Sequence, residues 1–295
     1  MRAKHFLQLG GLSALWGASF MLTRIAVPSL GPYLLATLRM SLATVVLTII
    51  MRALKQPWPF EHWREIFMLG AISVAGPHVL YAWSAQGLPA GYGALLSVTA
   101  VLFGAVASAW FGEEDFSYGK MLGCLLGLCG AALVVQLGPI NPTNSFVISA
   151  LVCTAASALS GISASVLKRA TQRMEPLAIT AGMHGAGVLL MIPGAISDWS
   201  KATFTWHAIG AVAVMGIATS GIAYWMYMRI LRHVTPLAAL SSTFMTTGFG
   251  VMWAYLLLNE QFGAAFYLGG ALILLACVLV AGFNPLKRIQ VRAAN

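Results

Sequence analysis

The chain has 295 residues, 59% of them hydrophobic and only 8% charged, with a mean hydropathy of +0.82. Too few polar side chains remain to cover a water-soluble core of this length, so lipid is the expected solvent. A net charge of +9 brings nucleic acid into question as a partner, but the basic residues lack the aromatic interleaving of an RNA platform and membrane topology accounts for them, so nucleic acid is set aside.

Apolar runs long enough to cross about 30 Å of hydrocarbon recur along the chain, without the dyad alternation of barrel strands. The first is predicted over 6–27 and carries Trp16, Ser19 and Thr23 on one face. It follows Arg2 and Lys4 as a signal peptide would, yet it is long for an h-region and its sequence recurs later, so it is read as a retained span. The second, 33–54, opens at Pro32 and holds Arg39, about 10 Å into the span at 1.5 Å per residue. Such a cation either attracts a carboxylate or is a snorkelling or carbonyl-bonded structural arginine, and the latter is the simpler reading.

The third span, 65–86, contains Gly76-Pro77, a kink signal, with His78 and Tyr81 three apart on the face that follows. In the fourth, 90–112, Leu96, Thr99 and Phe103 form a stripe before Gly112-Glu113. The fifth, 118–138, has Gly123 and Gly127 at the spacing of close helix packing. The sixth, 145–167, presents Ser157, Ser160 and Ser163, which either line a cavity or ease helix contact. Pro176 opens the seventh, 176–197, which contains His184, and the eighth, 206–228, supplies Tyr224, Trp225 and Tyr227 as cavity aromatics or interfacial anchors. Thr243, Thr246 and Gly250 mark the ninth, 236–258, and the tenth is predicted over 263–283. Cys124, Cys129, Cys153 and Cys277 fall inside spans and read as small packing residues.

Of the 17 Lys and Arg residues, all but Arg24, Arg39 and Lys201 fall at the N-terminus, at the C-terminus or in the connections after the even-numbered helices. The positive-inside rule then puts both termini in the cytoplasm. The chain also resembles itself. Ser13, Gly17, Ser19 and Arg24 find Ser157, Gly161, Ser163 and Lys168 after 144 residues; Pro89, Thr99, Glu113 and Gly123 find Pro236, Thr246, Glu260 and Gly270 after 147. Two repeats, 1–140 and 141–295, each with five spans, must enter the membrane from opposite sides. The expected fold is therefore all-α, with ten transmembrane helices as two inverted repeats around a central cavity.

Glu61, Glu65, Glu113, Glu114, Asp115, Glu175, Asp198 and Glu260 all lie near predicted helix ends, which argues against a carboxylate relay and favours facilitated movement. There is no phosphate-binding glycine loop, no metal-ligand spacing and no catalytic constellation, so no cofactor, metal or enzyme activity is expected. A carrier for amino acids, a carrier for another metabolite or drug, and a non-transporting scaffold remain; the missing intramembrane acid disfavours cationic drugs.

The run Leu15-Trp16-Gly17-Ala18-Ser19-Phe20, then Pro32, Arg39, Gly112-Glu113 and Asn259-Glu260, resembles the EamA group of the drug/metabolite transporter superfamily over essentially the whole chain. Two departures stand out: the mid-helix proline frequent in that group's fourth and ninth helices is missing, and Ser160 stands opposite Trp16. The stretch Pro77-His78 to Tyr81, on through Trp83, Gly87 and Gly91, is similar to YddG-type exporters of aromatic amino acids. That resemblance implies a monomer in the bacterial inner membrane that releases aromatic and other neutral amino acids, with His78 and Tyr81 foremost in its cavity. The candidate substrate-binding set is His78, Tyr81, Trp16, Ser19, Thr99, Thr246, Ser160, Ser163, Tyr224 and His184.

Overall fold

Pro32, Pro176 and Pro236 each stand at the first turn of a helix, where a missing N–H costs nothing. The computed structural model describes residues 3–113, 117–136, 143–240 and 242–280, and no strand occurs among them. The sequence readings of Arg2, Glu114, Asp115, Lys287, Arg288 and Arg292 lie outside the described residues. So do the far ends of the fifth and tenth predicted spans and the side chains of Lys4, Cys124 and Cys277.

Ten rods follow one another: α1 Ala3–Leu30, α2 Pro32–Ala53, α3 Phe60–Ser84, α4 Ala90–Trp110, α5 Tyr118–Gln136, α6 Asn144–Arg173, α7 Pro176–Trp199, α8 Trp206–Leu231, α9 in two pieces, Pro236–Leu240 and Ser242–Leu258, and α10 Ala264–Val280. They coincide with the predicted spans to within a few residues, except that α3 begins earlier and α6 continues to Arg173. That last turn of α6 carries Lys168, Arg169 and Arg173, so hydropathy misses it although the helix goes on. Among the described residues α2, α3, α4, α6, α7 and α8 are long and apolar enough to cross a membrane, and shorter apolar helices accompany them. The protein is a multi-pass membrane protein.

Local chemistry sets the joints. Between α1 and α2 a single residue, Gly31, turns the chain at φ 75°; a Cβ there would meet the Asp198 carboxylate at 2.6 Å. Asp198 in turn accepts from Tyr33 N at 2.8 Å and Leu34 N at 3.2 Å, satisfying the open end of α2. Glu260 does the same for α4, accepting from Ala90 N and Gly91 N at 2.7 and 2.9 Å. In α3 Pro77 withholds an N–H from the preceding turn, and the helix widens to π geometry over Gly70–Ala75. A second π segment, Met215–Ala223, interrupts α8 with no proline inside it. Although the mid-helix proline is missing from α4, the rod is still broken: Val98 and Thr99 separate two helical pieces through i to i+3 bonds.

The packing pairs keep their pattern when the first five helices are exchanged with the last five. Helix α1 packs on α9 and α6 on α4; α3 on α6 and α1 on α8; α2 on α8 and α3 on α7; α2 on α7, and α5 on α10. Helix α4 is enclosed, with residues 90–102 all buried. Small residues permit the closest crossings. A Cβ on Gly17 would stand 2.7 Å from Gly250 N, and one on Gly161 would stand 2.8 Å from Gly104 N.

The two cations matched in sequence, Arg24 and Lys168, make the same kind of contact. Arg24 donates to Ala85 O and Gln86 O at the end of α3, and Lys168 donates to Leu231 O and Arg232 O at the end of α8, the latter at 3.0 and 2.8 Å. Positive charge at a helix C-terminus meets the unsatisfied carbonyls there. At the basic end of the bundle Arg169–Glu113, Arg173–Glu65 and Arg232–Glu175 pair at 3.3, 2.7 and 2.9 Å, all partly exposed and therefore weak individually.

Candidate functional site

Around the crossing of the two halves lies a cavity of about 210 Å³ lined by α1, α2, α3, α4, α6, α8 and α9. Helices α5, α7 and α10 contribute nothing to it among the described residues. Of the predicted set, Trp16, Ser19, His78, Tyr81, Ser160, Ser163, Tyr224 and Thr246 line it, joined by Phe20, Thr23, Arg39 and Tyr227.

Aromatic edges make one wall. The Trp16 ring meets Tyr224 and Tyr227 edge-on, with centroids 6.2 and 5.2 Å apart, and Tyr224 meets Tyr227 at 6.0 Å. Across the space Phe20 meets Tyr81 at 5.7 Å. Such arrangements hold flat apolar surfaces at defined angles. The Trp16 indole N–H donates to Thr219 O at 3.1 Å, a carbonyl within the π segment of α8.

Polar atoms fall into two groups. Ser160, Ser163 and Thr246 spend their hydroxyl protons on their own helices, donating to Ala156 O, Ser160 O and Ser242 O at 2.9, 2.9 and 3.2 Å. Tyr81 Oη lies 3.0 Å from Ser157 Oγ, and Ser157 itself donates to Cys153 O at 2.9 Å, so the phenol donates to the serine. The Oγ atoms of Ser19 and Ser73, by contrast, are buried without a hydrogen-bond partner beside the cavity. His78 Nδ1 lies 2.8 Å from Val74 O; a carbonyl only accepts, so Nδ1 carries the proton and Nε2 is left as an acceptor.

Thr99 and His184 lie outside the lining. Thr99 is fully buried at the break in α4, where its hydroxyl donates to Leu96 O at 2.7 Å and helps turn the chain. His184 is also fully buried. Its Nδ1 donates to Thr180 O at 2.7 Å, its ring stands edge-on to Tyr224 at 5.1 Å from behind the wall, and its Nε2 has no partner. Periodicity gave both residues the right depth but not the right face, because the break in α4 and the packing of α7 on α2 rotate them away.

Arg39, for which the sequence favours a snorkelling or carbonyl-bonded structural role, lines the cavity. Its Nε donates to Ser220 Oγ at 2.6 Å, Nη2 to Thr219 Oγ1 at 3.1 Å, and Nη1 lies 3.8 Å from Met215 Sδ. All three partners belong to the π segment of α8, a widening that periodicity does not signal. Among the described residues no aspartate or glutamate lines the cavity, and no group of three or more His, Cys, Asp or Glu could hold a metal ion. The cavity can stack an apolar body and offer hydroxyls, the imidazole acceptor of His78 and one cation.

Residues 7–136 and 147–282 each match the EamA-like transporter family. An uncharacterized inner membrane transporter of Escherichia coli (strain K12), YedA, is 28% identical over 291 residues, covering 95% of this chain and 92% of its own. An uncharacterized transporter of Bacillus subtilis, YoaV, is 21% identical over 92% of this chain and 94% of its own. A probable terminal-alkyne amino-acid exporter of Streptantibioticus cattleyicolor is 22% identical over 90% of this chain and 89% of its own. One crystal structure shares the fold with a TM-score of 0.66 over 96% of this chain and 99% of its own, at 18% identity.

Proposed function

From its membership of the EamA-like transporter family, to which this chain belongs, we propose that the protein carries aromatic and other neutral amino acids through its central cavity by alternating access. The observation that carries the reading is a cavity at the crossing of both halves, walled by edge-on aromatics and free of acids. Aromatic walls suit an apolar side chain, and the unspent hydroxyls of Ser19 and Ser73 suit a polar backbone. The relative from Streptantibioticus cattleyicolor named as a probable terminal-alkyne amino-acid exporter supports the same substrate class.

Alternation needs two halves that exchange roles. The repeats 1–140 and 141–295 are supported by the two family matches, by the exchangeable packing pairs and by the matched contacts of Arg24 and Lys168. The basic end, with both termini, faces the cytoplasm of a bacterial inner membrane. One monomer forms the whole path. With no carboxylate in the cavity lining among the described residues, movement is facilitative and follows the amino-acid gradient.

Efflux tests this. Cells that express the protein and are loaded with labelled phenylalanine should lose label several-fold faster than vector controls, and Tyr81→Ala should lose most of that gain while remaining in the membrane at normal abundance. Equal efflux with and without the protein, for phenylalanine, tryptophan and threonine alike, would reject the substrate class.

A further inference from the structure

A cation with no acidic partner among the described residues lines this membrane-embedded cavity. Arg39 stands seven residues into α2 from Pro32, about 10 Å from that end at 1.5 Å per residue. Of its five N–H donors, two go to the neutral oxygens of Ser220 and Thr219, and Nη1 has only a thioether within reach. The described acids are at the helix ends: Glu65, Glu113 and Glu175 pair with other arginines, Asp198 and Glu260 cap helix N-termini, and Glu61 is exposed in the turn that opens α3, outside the cavity lining. A lone charge at this depth is costly and is kept where it has a use.

We propose that Arg39 is the carboxylate anchor of the transported solute, so that a carboxylate is required for passage and an ammonium group is not. The proposal rests on the reading of this cavity as the solute path and goes beyond it in naming the recognised group. Hydroxyls from one widened segment of α8 fix the guanidinium from its Nε side. The donors left over are those that meet a carboxylate, two oxygens to a planar fork. Trp16 and Tyr81 border the same space and receive the solute's apolar body. An ammonium finds no acid there to pair with, only hydroxyls and the Nε2 acceptor of His78. Aromatic and aliphatic acids without an amine are therefore carried as well as amino acids. An arginine that only pinned α2 to α8 would affect stability and leave the choice of solute unchanged.

Counterflow in liposomes holding the purified protein separates these roles, with unlabelled L-phenylalanine inside, labelled L-phenylalanine outside and 3-phenylpropionate or phenethylamine as external competitors. Phenylpropionate, which lacks the amine, should compete within a few-fold of phenylalanine, whereas phenethylamine, which lacks the carboxylate, should be weaker by about tenfold or more. Arg39→Gln should lose carboxylate flux by a similar factor, and Arg39→Lys, a point charge without the fork, should fall between. Phenethylamine competing as well as phenylalanine, or a folded Arg39→Gln that keeps the carboxylate preference, would overturn the proposal and leave amino-acid transport standing. Flux of phenylpropionate without phenylalanine would support Arg39 while sinking the amino-acid reading. Should Arg39→Gln fail to fold, the wild-type competition series decides by itself.

Discussion

Gly161→Val is expected to leave little folded protein. A Cβ at this position would stand 2.8 Å from Gly104 N and closer still to Ala100 O, both backbone atoms of α4 that no rotamer change can move aside. Nor can α4 recede, because residues 90–102 are buried on all faces against α1, α6 and α9. Overpacking against backbone stands at the upper end of the usual range, about 3 kcal/mol, and in lipid, where helix association depends on close contact of small residues, it separates the helices. Thermal unfolding in detergent should show a collapse of the transition or aggregation on a sizing column. Gly210→Ala is the control: nothing lies within 4 Å of a Cβ there, and adding one should be neutral or gain a fraction of about 1 kcal/mol. An unchanged transition for Gly161→Val would mean that α4 and α6 do not cross as described.

Trp16→Ala should have the largest effect on transport. The indole ties α1 to the π segment of α8 through Thr219 O and forms the face against which Tyr224 and Tyr227 stand. Each edge-on aromatic contact contributes about 0.5–1.5 kcal/mol, so losing both together with the hydrogen bond lowers flux on the order of tenfold or more. Trp16→Phe keeps the apolar face and drops only the donor to Thr219 O, so initial rates should fall less. Trp110→Ala, at a highly exposed residue on the end of α4, should transport like the parent. Parental rates in Trp16→Ala would remove this wall from the solute path.

How much of this was legible depends on the residue. Membrane spans could be read directly, since lipid demands long apolar helices and the chain contains little else. Pro77 announces a local disturbance because its missing N–H is visible in the sequence, and His78 and Tyr81 follow from it. The π segment of α8 has no such marker, so the two hydroxyls that hold Arg39, and the carbonyl that holds Trp16, could not be anticipated. Thr99 illustrates the opposite error. The stripe of Leu96, Thr99 and Phe103 supposes an unbroken helix, but Val98 and Thr99 sit at a break that no proline signals, and the face rotates. His184 has the polarity of a binding residue and the position of a supporting one, which only the packing of α7 on α2 decides. For Arg39 the sequence favours a structural role, because it gives the depth of the cation but not the groups around it.

The most direct test of alternating access through this cavity is entry of labelled phenylalanine into liposomes holding the purified protein, with no ion gradient imposed. Saturable entry that accelerates when unlabelled phenylalanine is placed inside is the expected result, since a carrier returns faster when loaded. Entry that rises linearly with concentration and ignores the internal amino acid, or no entry at all from demonstrably folded protein, would contradict it.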